Sequence, residues 1–160
     1  ACAPYRRLSL CNKNLVKMDT NNNDGKAKHD LLLDVCMAAK YEGESLNTYS
    51  AQYDLKYPSS GSSFTMCTML ARSFADIGDI VRGRDLYLGK KKKKQKGKKT
   101  KTKKNHLKKN LQIFFKNILD KLDDSIKSNY KDAPYYYNLQ KNWWTANRKT
   151  VGKALTCRAK

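Results

Sequence analysis

The chain is 160 residues long, enough for one domain, and carries a formal net charge of +20. Thirteen of the twenty residues from Lys90 to Lys109 are lysine, and setting them aside leaves +7, so the extreme charge belongs to one segment of a mildly basic domain. No run reaches the ~18 apolar residues needed to span a bilayer, no basic-then-apolar leader opens the chain, and five cysteines without a Cys-x-x-Cys pair, beside only two histidines, argue against a zinc site.

In chain order, the turn signal Asn21-Asn22-Asn23-Asp24-Gly25 precedes a segment from Lys28 to Ser45 that places Leu32, Val35, Cys36 and Ala39 on one face, the spacing of an amphipathic helix. Leu46, Tyr49, Tyr53 and Tyr57 continue at steps of three or four up to Pro58 and the serine-rich linker after it, predicting a second helix or an extension of the first. From Phe64 to about Arg82, the stripe Cys67, Leu70, Phe74, Ile77 and Val81 predicts a long helix with one buried face, ended by Gly83 or the turn that follows. Gly78 sits inside this helix at a cost of about 1 kcal/mol, which points to close packing against it. The lysine tract, residues 89–104, comes next. Like charges this dense repel one another and offer little apolar surface, so a flexible, solvated loop attractive to polyanions is expected. Leu107, Leu111, Phe114 or Phe115, Ile118 and Leu122 then resume helical spacing, and Asp132 with Pro134 marks the start of a last helix carrying Tyr136, Leu139, Trp143 and Val151. No run alternates with a period of two, so the fold class is all-α, a helical bundle with a long basic loop between core helices.

Individual residues read as follows. Trp143 and Trp144 are core residues of the last helix, and Arg72, Asp76, Asp79 and Arg148 form an internal ion-pair network holding two helices together. Arg6 and Arg7 serve either structural hydrogen bonding or anion contact, and His29 stands at a helix start. Five cysteines fit either reduced thiols inside a cell or a disulfide framework some of whose partners are missing, and composition leaves both open. There is no Gly-x-Ser-x-Gly, no phosphate-cradling glycine loop and no Cys-His pairing, so no enzyme, metal or cofactor is expected.

Four ordered motifs carry a resemblance. The runs Cys2-Ala3-Pro4-Tyr5-Arg6-Arg7-Leu8-Ser9-Leu10-Cys11, Asp34-Val35-Cys36-Met37-Ala38-Ala39-Lys40-Tyr41-Glu42-Gly43, Ala71 to Gly83, and Trp143 to Arg148 followed by Ala154-Leu155-Thr156-Cys157 resemble the Duffy-binding-like domain, alpha type, of malaria-parasite adhesins. The resemblance implies a single partial domain over 1–160, comprising the end of the first subdomain and the second. It also implies a bridge from Cys67 to Cys157, which would close a loop of about ninety residues and contribute roughly 4 to 5 kcal/mol in the chain-entropy model. Cys2 and Cys11, whose usual partners lie before residue 1, are then expected unpaired or joined to each other, and Cys36 a core thiol. Where the family commonly has a further tryptophan after the Asn-Arg pair, this chain has Gly152, so either neighbours refill that space or the region is weakened.

The leading expectation is a host-cell adhesion module of a parasite variant surface antigen, at the extracellular face of the infected-cell plasma membrane as part of a larger, membrane-anchored protein. Its partners would be red-cell or endothelial receptors and sulfated glycosaminoglycans of the heparan-sulfate type, as in rosetting. The candidate contacts are Lys90, Lys91, Lys92, Lys93, Lys94, Lys96, Lys98, Lys99, Lys101, Lys103, Lys104, Lys108 and Lys109, with Arg82 and Arg84; ammonium groups bind sulfates as point charges. One alternative is an intracellular nucleic-acid-associated protein. It is weakened because the tract lacks the arginine and aromatic residues that stack on bases, leaving only phosphate contact. The other is an antigenic scaffold with no receptor site of its own.

Overall fold

The computed structural model describes residues 5–20, 25–56, 66–85 and 103–157. The fold is all-α, with no strand among the described residues. Two single-turn helices, α1 (Tyr5–Leu8) and α2 (Lys13–Val16), precede four long ones: α3 (Ala27–Lys56), α4 (Met66–Val81), α5 (Lys103–Asp120) and α7 (Tyr137–Thr156). A short α6 (Asp124–Lys127) joins the last two. No described helix is long and apolar enough to cross a membrane.

The two expected segments between Lys28 and Tyr57 are one helix. At 1.5 Å per residue α3 runs about 45 Å, and its buried residues, Ala27, Leu31, Val35, Ala38, Ala39, Glu42 and Gly43, all lie in its first seventeen positions. Beyond Gly43 none of its described residues is buried, and Tyr49 and Tyr53 are exposed. The tyrosine spacing marks a helix but not a core face.

The core lies where α3, α4, α5 and α7 meet. Fully enclosed Leu31 and Val35 of α3, Ile77 and Val81 of α4, Phe115 of α5 and Val151 of α7 form its centre, and Leu15 of α2 closes one side. Burying each large apolar side chain contributes about 1.5–3 kcal/mol. Trp143 meets Phe115 edge-to-face at 6.1 Å and Trp144 meets Phe74 at 5.2 Å, so both indoles are core residues as their spacing implies.

Three local devices fix the helix ends and approaches. Gly83, with φ +66°, ends α4 in a Schellman pattern in which its N–H reaches the Ile80 carbonyl and the Arg84 N–H reaches that of Asp79. Asp132, expected at a helix start, lies five residues before α7 and accepts the Asn138 N–H at 2.9 Å, satisfying a first-turn donor from outside the helix. Gly78 faces the Trp144 ring so closely that a Cβ there would stand 2.8 Å from it. The Gly152 question resolves toward refilling, because the Phe74 ring lies 3.7 Å from where a Cβ would project.

Cys67 departs from its expected place in the buried stripe. It stands exposed at the second position of α4, where the flanking Met66 is only partly buried and full burial begins at Leu70.

Candidate receptor-binding surface

The double arginine of α1 folds inward. Arg6 places its fork on Asp76 of α4, with Nε to Oδ2 at 2.8 Å and Nη2 to Oδ1 at 3.2 Å. Buried Arg7 does the same with Asp85 just beyond α4. Two-point carboxylate recognition of this kind uses the planar geometry of guanidinium, and here it ties the N-terminal segment to α4. Glu42, buried on α3, adds a second tie: one carboxylate oxygen accepts the Cys11 N–H at 2.9 Å and the other the Ser73 hydroxyl at 2.7 Å. Asn14 and Asn110 complete the stitching, donating to the carbonyls of Asp34 and Val16.

These pairings give Asp76 and Asp79 partners other than the expected Arg148 of α7. Asp76 is taken by Arg6 and Asp79 by Arg82 within the same helix at 2.8 Å, while Arg72 and Arg148 are exposed. Sequence spacing showed the charges on α4, but not that a guanidinium seventy residues away would reach Asp76. Arg82, a candidate contact, is likewise occupied. It bonds Asp79 and the Gly78 carbonyl and lies over the Trp144 ring at 5.9 Å.

Of the other candidate contacts, Arg84, Lys108 and Lys109 are exposed. Lys90, Lys91, Lys92, Lys93, Lys94, Lys96, Lys98, Lys99 and Lys101 lie outside the described residues; Lys103 and Lys104 belong to the first turn of α5, their side chains outside the description. A further basic surface escaped the sequence reading. On α7, which contains no Asp or Glu, Lys141, Arg148, Lys149 and Lys153 are all exposed. The missing acid was visible in the sequence; that these four share the outer side required the buried positions to be known.

Of the acidic groups, Glu42, Asp76 and Asp85 are engaged inside the bundle, whereas Asp19, Asp120, Asp123 and Asp124 are exposed away from α7 in sequence. The nucleophile candidates are held inactive. Burial, followed by the Glu42 charge, pushes the Cys11 thiol up from its ordinary value, and burial does the same to Cys36. Both are therefore kept as thiols rather than the reactive thiolate. Cys67 and Cys157 are both exposed, and the structure does not join them.

One cleft opens between α4, α5 and α7, enclosing about 80 Å³. Ile80, Leu107 and Leu111 form its apolar walls, Gln140 its buried polar end, and Lys108 and Tyr135 also line it. The Lys108 ammonium sits over the Tyr135 ring at 5.7 Å, and Tyr135 stacks on Tyr137 at 5.5 Å.

A family model described as the Duffy binding domain matches residues 1–160, the whole chain. No curated protein matches the chain significantly.

Proposed function

Because the chain belongs to the Duffy-binding domain family, whose members are extracellular receptor-binding adhesion modules, we propose that it is the host-cell adhesion module of a parasite variant surface antigen. It binds red-cell or endothelial receptors and heparan-sulfate-type glycans through basic surface patches, without covalent chemistry. The observation that carries this reading is the division of charge: Asp76 and Asp85 neutralise Arg6 and Arg7 within the fold and Asp79 pairs with Arg82 along α4, while Arg84, Lys108, Lys109 and the basic residues of α7 remain turned to solvent. Each cation near an anionic surface contributes roughly 1 kcal/mol before screening, so several together give useful, salt-sensitive affinity.

The lysine tract is the proposed principal glycan contact and α7 a secondary one. Heparin and red-cell binding are measured with the intact chain and with Lys90 to Lys104 replaced by a neutral linker. The expected result is a loss of at least tenfold in heparin affinity, with a shallower salt dependence; unchanged binding moves the glycan site to the α7 face or elsewhere. Nucleic acid is the competing polyanion. A chain that binds duplex DNA as tightly as heparin at equal salt, yet fails to bind red cells, would return the intracellular alternative.

A further inference from the structure

We infer that the cleft between α4, α5 and α7 is a socket for one aromatic side chain bearing an N–H or O–H, presented by a partner protein; this rests on the receptor-binding reading above. Gln140 is only 3% exposed, yet its Oε1 has no hydrogen-bond partner. An acceptor buried without a donor carries its full desolvation cost, so an occupant that brings a donor is favoured over one of the same shape without it. Ile80, Leu107 and Leu111 demand an apolar body around that donor. The remaining polar groups narrow the choice. Asp85 is already paired with Arg7, and the Lys108 ammonium on the cleft wall repels a cation. An anion, in turn, would bring acceptors and no proton to the Gln140 oxygen. A neutral group with an apolar body and one donor is left, and indole and phenol are the side chains of that description. Tyr135, half exposed beside them, offers a ring on which such a group stacks.

Gly83 keeps the cleft as it is. A Cβ there would stand 2.8 Å from Gln140 Oε1 and 3.1 Å from the Tyr137 ring, so any side chain would displace the amide from its position.

The test titrates the ¹⁵N-labelled chain with indole and with benzofuran, which has the same shape but an oxygen in place of the N–H. Indole is expected to shift the amides of Gly83, Leu111 and Gln140 saturably and to bind about fivefold more tightly than benzofuran. Gln140→Leu should bring the two ligands to equal affinity. Leu111→Trp, accepted only if its helix content and unfolding midpoint match the parent chain, should abolish both and weaken adhesion to receptor-bearing cells. Should that variant not fold, the Gln140→Leu comparison decides alone. Shifts scattered away from the cleft, or equal binding of the two ligands by the unmodified chain, overturn the socket, the latter meaning that water already satisfies the amide. A Leu111→Trp chain that folds and adheres normally overturns the partner-protein occupant. Failure of the unmodified chain to adhere to any cell counts instead against the adhesion reading, and is distinguishable because the titration involves no cells.

Discussion

Two glycines show how a missing methyl group sets helix spacing. A Cβ at Gly43 would meet the Leu155 carbonyl oxygen of α7 at 2.0 Å, whereas one at Gly78 would meet the edge of the Trp144 ring at 2.8 Å. Backbone cannot step aside and a ring edge can shift slightly, so Gly43→Ala is expected to cost about 3 kcal/mol. Gly78→Ala should cost about 1 kcal/mol, its overpacking partly offset by the better helix propensity of alanine. Urea unfolding midpoints measure both, and an equal or reversed ranking would show that α3 and α7 can separate at the crossing. Asp34 gives a residue-scale pH effect. Burial raises its carboxyl above the ordinary 3.8, so as pH climbs the unfolded chain ionises first and the native state loses relative stability. Asp34→Asn should therefore unfold at a higher temperature than the parent at pH 7, the gain shrinking to nothing below about pH 3. Thermal melts at the two pH values check this. Gly78 was legible in the sequence because glycine inside a helical stripe is anomalous. Gly43 was not, because what it touches lies more than a hundred residues away.

Paired helices supply the next scale. Gly83 approaches Tyr137 and Gln140, Gly78 approaches Trp144, and Phe74 lies beside Gly152, so α4 and α7 run antiparallel. Carrying that register to their ends brings Cys67 and Cys157 to the same end of the bundle, which supports the bridge that we propose between them in the native extracellular protein. Non-reducing peptide mapping of native protein should recover the two cysteines in one linked peptide; finding both alkylatable without reductant would remove the bridge. With it, the chain should withstand roughly 4 kcal/mol more unfolding stress than the reduced form. Periodicity located α4, α5 and α7 well, since each buries one face over several turns. It misjudged Cys67 and the later tyrosines of α3 because spacing reports which residues share a face, not how far along a helix its neighbours reach. The ion pairs were hidden for a related reason: Arg6 and Arg7 belong to a single-turn helix with no periodicity of its own.

For the molecule as a whole, hydrophobic pattern was enough to give an all-α bundle, and ordered motifs were enough to give the family. The outward division of charge was half legible. Its total is a matter of composition, but which cations stay outside depends on Arg6, Arg7 and Arg82 finding acids within the fold. The cleft was not legible at all, because Ile80, Leu107 and Gln140 converge from three helices and none is unusual in its own segment.

The unequal support along α3 has a dynamic consequence. An isolated helical stretch of about a dozen residues is marginal in water, and of the thirteen residues after Gly43 no described one is fully buried and Leu46, one turn on, is the last apolar side chain of α3 packed against the core. Backbone amides before that point should exchange with deuterium only when the whole bundle opens, and those after it through local fraying at far lower free energy. Exchange measured residue by residue should step down within a turn or two of Gly43, and uniform protection to the end of the helix would mean that another surface braces it. Protease nicking of native protein should fall on the same overhang, leaving the bundle folded behind it.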